Sequence, residues 1–111
     1  MAKLIIVMVK ITYLPIAQKD LQEILLYIAD QLKAPQAAVD LMESLEQAIA
    51  MLDQFPYAHQ IYPLIKPLKA EYRLLSVKNY VVLYVVKEPE KIVEIQRILY
   101  AKMNFSKTVK S

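Results

Sequence analysis

The run Val81-Val82-Leu83-Tyr84-Val85-Val86 carries no charged residue, and it constrains the chain more than any other stretch. Side chains of a strand point alternately to opposite faces, so a strand covered on one face alternates apolar with polar. An uninterrupted apolar run of β-favouring residues therefore predicts a central strand buried on both faces. Such a strand needs neighbours. Tyr72 to Val77 is strand-like, and Lys78-Asn79 is suited to a two-residue turn between the two. The chain has no glycine, so Asn79 is expected to take the positive φ that such a turn requires. Glu88-Pro89-Glu90-Lys91 reads as a second turn, and Ile92 to Leu99 as a further strand.

The N-terminal half changes period. Residues 3–13 combine the apolar run Leu4 to Val9 with Ile11 and Tyr13, and Pro15 ends them. Six apolar residues closed by Lys10 are too few for a membrane span or a signal-peptide core, so this segment is expected to be a strand. From Ile16 the pattern is helical: Leu21, Ile24, Leu25, Ile28 and Leu32 share one face, opposite Lys19, Asp20, Gln22, Glu23 and Asp30. Lys33-Ala34-Pro35 breaks it, and Pro35 fits the first turn of a second helix running to about Asp53. There Leu41, Leu45, Ala48, Ile49 and Leu52 should point inward, and Phe55-Pro56 stops the helix. The expected fold is α+β: an N-terminal strand, a helical hairpin, then three or so antiparallel strands, with the helices packed on one face of the sheet.

A chain of 111 residues with 57% hydrophobic residues is expected to form one domain, here residues 1–103, followed by a basic C-terminal tail, 104–111. The lack of cysteine excludes disulfides, thiolate metal sites and a cysteine nucleophile, and agrees with a cytoplasmic location. The lack of glycine excludes phosphate-cradling glycine loops, and no cofactor is expected. Charge is uneven. Residues 1–60 hold four lysines against seven acids, whereas residues 61–111 hold ten basic residues against four acids, a local excess of +6. Such a half favours an acidic partner, either nucleic acid or an acidic protein segment.

Several stretches, taken in order, resemble the RelE/ParE toxin superfamily. They are Ala17-Gln18-Lys19-Asp20-Leu21-Gln22-Glu23-Ile24, Tyr27-Ile28-Ala29, Pro35-Gln36-Ala37-Ala38 and Leu52-Asp53-Gln54-Phe55-Pro56. Tyr72-Arg73-Leu74-Leu75-Ser76-Val77, Asn79-Tyr80-Val81-Val82-Leu83-Tyr84-Val85 and Ile95-Gln96-Arg97-Ile98-Leu99-Tyr100 complete the set. The resemblance spans roughly residues 10–103 and implies the toxin of a type II toxin–antitoxin module, of the plasmid-stabilisation kind, neutralised by a cognate antitoxin. One branch of that superfamily cleaves messenger RNA in the ribosome, without metal. The ParE branch poisons DNA gyrase and is not itself an enzyme.

Metal-free RNA cleavage needs groups that activate the ribose 2′-hydroxyl, stabilise the phosphorane and protonate the leaving oxygen. The resemblance offers Arg73, Arg97, Tyr100 and Lys102 for those roles if the chain is an endoribonuclease. The same four, with Lys66 and Lys69, are the candidates for holding a target protein or nucleic acid. Leu75 and Val81 stand where the RelE branch tends to carry a lysine and an arginine, and no histidine–tyrosine end is present. Arg97-Ile98-Leu99-Tyr100 is nearer the ParE pattern of Arg-Ile-Leu-His, so gyrase is the expected target, with ribosome-bound mRNA the alternative.

Each candidate also has an ordinary reading. Arg73 could pair near Glu71, and Arg97, interrupting an apolar strand, demands either a partner or an exposed functional face. Tyr80 and Tyr84 suit the core, while Tyr100 could stack on a base or cap that core. Lys66 and Lys69 could contact phosphates or sit in a solvated loop; Glu43 and Glu46 suit a solvated helix face, and His59 a plain loop position.

Overall fold

The computed structural model of the chain describes residues 9–61 and 71–102. The expectations for residues 3–8, for Lys66 and Lys69, and for the tail 104–111 lie outside the described residues. Strand β1 (Lys10–Tyr13) leads directly into α1 (Pro15–Leu26), which is followed by α2 (Pro35–Ala50) and a 3₁₀ turn at Met51–Asp53. Three strands then follow: β2 (Arg73–Val77), β3 (Tyr80–Lys87) and β4 (Ile92–Tyr100). The sheet order is β1-β4-β3-β2, with β1 parallel to β4 and the other pairs antiparallel. This is the expected α+β arrangement.

The central-strand expectation holds for all of the run but its last residue, Val86, which is half-buried. Val81 through Val85 are all buried, and β3 lies between β4 and β2. On one face Leu75, Val77, Val82, Tyr84, Val93, Ile95 and Ile98 pack with the helices, while Val81 and Leu99 form a smaller cluster with Leu74. Helix α2 contributes Ala38, Leu41, Leu45 and Ile49 to the main core, and Leu52 follows from the 3₁₀ turn. Each large apolar side chain so buried stabilises the fold by about 1.5–3 kcal/mol. Neither helix has a side-chain cap at its N-terminus, and each begins instead with proline in its first turn. Packing, not capping, holds the hairpin in place.

Two local expectations are corrected. The first helix does not keep its period to Leu32. After Leu26 it widens into a π-helical turn, Tyr27–Gln31, in which the Leu32 amide donates to the Tyr27 carbonyl five residues back at 3.0 Å. That extra residue advances the phase of the helix. Ile28 stays buried, but Leu32 emerges 56% exposed instead of joining the inward stripe. At the β2–β3 turn the positive φ falls on Lys78, at 53°, and not on Asn79.

Candidate functional site

Register along β4 determines where its polar residues go. Among the described residues β1 pairs with β4 from Ile92 to Ile95, and the last rung is the Leu14 amide donating to the Ile95 carbonyl at 2.9 Å. On the β3 side, Tyr84 faces Ile95 and Leu83 faces Arg97, so Gln96 is an extra residue in a bulge. A bulge re-aims the side chains around it. Past it, the outer edge of β4 runs beside α1, and Asp20 takes over where β1 has stopped.

Asp20 accepts three hydrogen bonds: from Arg97 Nε at 2.7 Å, from Arg97 Nη2 at 2.9 Å, and from the Ile98 backbone amide at 3.0 Å. The two side chains are only 21% and 11% exposed. This is the paired, two-pronged geometry that suits a guanidinium to a carboxylate. Hydrogen bonding to Asp20 pushes the Arg97 pKa up, against the opposite pull of burial. Of the two readings open to Arg97, the internal partner is present.

Arg73 is engaged differently. Its Nη1 donates to the carbonyls of His59 at 2.8 Å and Tyr57 at 3.4 Å, and its Nη2 lies 3.6 Å from Glu71. The guanidinium also sits over the Tyr57 ring, 5.1 Å from its centroid. Nearby, the Tyr84 hydroxyl donates to the Pro56 carbonyl at 2.8 Å, and the His59 ring meets the Tyr84 ring edge-on at 6.3 Å. Burial raises the Tyr84 pKa, with Arg73 pulling the other way. Together Arg73 and Tyr84 fasten the loop after α2 to the sheet. Beside Arg73 lies a shallow hollow of about 450 Å³ with charged walls, including Glu71, Lys87 and Glu88.

A larger groove of about 750 Å³ opens on the other side, between the end of α1, the π turn and the far end of β4. Arg97 and Tyr100 both line it; Arg73 does not. Tyr100, 41% exposed, meets Tyr80 edge-on with centroids 5.7 Å apart. Burial raises the Tyr80 pKa, and the neighbouring Tyr100 and Tyr27 hydroxyls add to that shift. Ile24 and Leu32 supply apolar wall, and Asp20 and Glu23 supply acid. Lys102 is exposed in the turn after β4, and Glu43 and Glu46 are exposed on α2. Among the described residues no group of three or more His, Asp or Glu side chains is placed to hold a metal ion, and no helix is long and apolar enough to cross a membrane.

Sequence reasoning had not singled out Asp20, Tyr27, Leu32 or Asn79 as site residues, yet all four line the groove. Asp20 was expected on the face opposite the core stripe, but its side chain, 11% exposed, turns to the edge of β4 and takes the charge of Arg97. Tyr27 lies four residues after Glu23 on the same regular helical face, its amide bonded to the Glu23 carbonyl, whereas Leu32 had no signal, because only the π turn brings it to this wall.

The chain matches the family model described as the ParE toxin of type II toxin-antitoxin system, parDE, over residues 11–105. No curated protein sequence matches it. Among solved structures, the chromosomal ParDE toxin–antitoxin system of P. aeruginosa matches with a TM-score of 0.68 at 20% identity, over 86% of this chain and 98% of that one. The toxin–antitoxin complex RelBE2 of Mycobacterium tuberculosis matches at 0.58 and 19% identity, over 85% and 99%. The archaeal RelE–RelB complex of Pyrococcus horikoshii OT3 matches at 0.55 and 14% identity, over 88% and 100%.

Proposed function

The chain belongs to the ParE toxin family of type II toxin–antitoxin systems, and from that premise we propose that it arrests growth by binding DNA gyrase in the cytoplasm, without hydrolysing RNA. The observation that carries this reading is the state of Arg97. A cation that stabilises a developing phosphorane must be free to meet it. The Arg97 guanidinium is already neutralised by Asp20 through two short hydrogen bonds. Arg73 is similarly occupied by backbone carbonyls. Leu75 and Val81, at 5% and 6% exposure, are core residues, so those positions offer no room for further basic groups. Of the four residues a nuclease would use, only Tyr100 and Lys102 face solvent.

The partner that restrains the toxin is a cognate antitoxin. The similar solved structures are themselves toxin–antitoxin assemblies, which supports that reading. Such a pair would stabilise the plasmid or chromosomal segment that encodes it. The alternative, a ribosome-dependent endoribonuclease, draws on the exposed Tyr100 ring beside Tyr80.

One experiment separates the two readings. The purified toxin is added to gyrase with supercoiled DNA, and in parallel to ribosomes translating a defined message. We expect accumulation of gyrase–DNA cleavage complexes and an intact message. The substitution Tyr100→Phe sharpens the comparison. A nuclease using the hydroxyl in proton transfer would lose orders of magnitude in cleavage, about 10²–10⁴-fold. A gyrase-binding toxin would lose little, because the ring remains. Message cleavage that collapses in Tyr100→Phe would overturn the gyrase reading.

A further inference from the structure

Three departures from an ordinary small domain converge on one place. The π turn breaks the helical period, Tyr27 and Leu32 stand 53% and 56% exposed, and Tyr100 stands 41% exposed at the end of β4. All of them line the 750 Å³ groove. Large exposed apolar side chains gathered around one concavity mark an interaction site more often than scattered ones do, and π turns recur at functional sites.

The chemistry of the groove selects its occupant. Its walls hold three tyrosines, Tyr27, Tyr80 and Tyr100, beside apolar surface from Ile24 and Leu32. Among the described residues its formal charges are two acids, Asp20 and Glu23, against Arg97. Since Arg97 and Asp20 cancel one another, Glu23 leaves the described lining net negative. Glu23 has Lys19 only at 3.9 Å, with both side chains well exposed, a contact worth little in water. Aromatic faces beside a carboxylate favour a cation with an aliphatic stem. A phosphate would meet the wrong charge.

We propose that this groove receives an arginine or lysine presented from an apolar stretch of the antitoxin, with the stem on Ile24 and Leu32 and the charged head between the tyrosine rings and Glu23. This rests on the antitoxin reading given above. It assigns the acidic groove a contact of opposite polarity to the general attraction between the basic half of the chain and an acidic partner. A cationic anchor in an otherwise acidic antitoxin would fix the register of the complex.

The test uses the full chain with the protein encoded in the adjacent reading frame as antitoxin. Tyrosine nitration is mapped by peptide mass spectrometry on the toxin alone and in complex. Tyr27 and Tyr100 should react in the free toxin and be protected in the complex. Each arginine and lysine of the antitoxin is then replaced by glutamine, against wild-type toxin and against Glu23→Gln. One antitoxin position should weaken binding about tenfold or more in wild-type toxin, and markedly less in Glu23→Gln. Tyr27→Leu and Tyr100→Leu keep apolar area but remove the ring face, and should each weaken binding about threefold to fivefold. Glu23 is exposed, so Glu23→Gln should melt as wild type does. An antitoxin that binds tightly while Tyr27 and Tyr100 stay reactive would overturn this inference and leave the toxin assignment standing. So would an antitoxin none of whose basic positions couples to Glu23. Tyrosines already protected in the free chain, with sedimentation as a dimer, would assign the groove to a second copy and overturn it too. Failure of any antitoxin to bind would remove both this inference and the reading beneath it.

Discussion

The carboxylate of Asp20 closes on the guanidinium of Arg97 across 77 residues of sequence, and the same carboxylate accepts the amide of Ile98. It acts where β1 has ended and the edge of β4 would otherwise present an unpaired donor. An open strand edge invites pairing with other chains. Asp20 closes this stretch of it with a side chain, and the ion pair ties α1 to the sheet. The arginine that most resembles a site residue is therefore also a structural one.

Replacing either member tests that coupling. Asp20→Ala leaves a largely buried guanidinium and the Ile98 amide without an acceptor, so a loss of about 2–3 kcal/mol is expected. Arg97→Met keeps the stem and leaves Asp20 with the Ile98 amide, and should cost about 1–2 kcal/mol. The double variant should lose measurably less than the two single losses together. Urea unfolding midpoints read all three. Strict additivity would mean that the two groups do not stabilise one another, and any loss of toxicity in Arg97 variants must be judged against these values.

Alkaline pH should loosen the fold through its buried phenols. The pKa values of Tyr13, Tyr80 and Tyr84 are raised, in each case chiefly by burial. A raised pKa means that the folded state holds the proton more tightly than the unfolded chain does. The associated stability is complete below the ordinary value of 10.0 and is lost as pH rises through the folded values. Tyr84→Phe should lower stability at neutral pH by about 0.5–1.5 kcal/mol, since the Pro56 carbonyl loses its donor. Its decline above pH 10 should be shallower than that of wild type. Melting temperatures across that range decide the point; parallel curves would show that Tyr84 does not contribute.

A chain without glycine must place other residues in the left-handed region, and here all three positive-φ positions among the described residues are lysines: Lys33 at 52°, Lys78 at 53° and Lys91 at 60°. The conformation costs a residue with a Cβ about 1–2 kcal/mol. Glycine removes that strain while making the unfolded chain about 0.4–1 kcal/mol more favourable. Lys78→Gly and Lys33→Gly should therefore stabilise the fold by up to about 1 kcal/mol each. Destabilisation by both, in thermal melts, would place these residues outside the left-handed region.

Much of this was legible in the sequence, and the reasons differ by element. The run from Val81 to Val86 announced a doubly covered strand because nothing in it tolerates water. The stripe Leu41, Leu45, Ile49 placed α2 because its period is undisturbed. The positive φ was expected at Asn79 because asparagine tolerates it best, yet it falls on Lys78, the first of the two turn residues. The Arg97–Asp20 pair was half legible: a charge within an apolar strand demanded a partner, but only the bulge at Gln96 and the end of β1 at Tyr13 reveal which one. The Leu32 side of the groove was not legible, since it depends on a helix that changes its hydrogen-bond period after Leu26.

That change of period leads to the last prediction. A regular α-helix through residue 32 would set Leu32 on the same inward stripe as Leu21 and Ile28, and truncating it would then cost core stability. The π turn places it 56% exposed on the groove wall instead. Leu32→Ser should accordingly change stability by no more than about 0.5 kcal/mol. Leu45→Ala, at 2% exposure on α2, should cost about 2–5 kcal/mol. The same Leu32→Ser variant should bind antitoxin several-fold more weakly, because the apolar area it loses is covered only in the complex. Unfolding and binding measured on one preparation separate the cases. A destabilised Leu32→Ser with unchanged antitoxin affinity would return Leu32 to the core and abolish the phase shift on which that side of the groove depends.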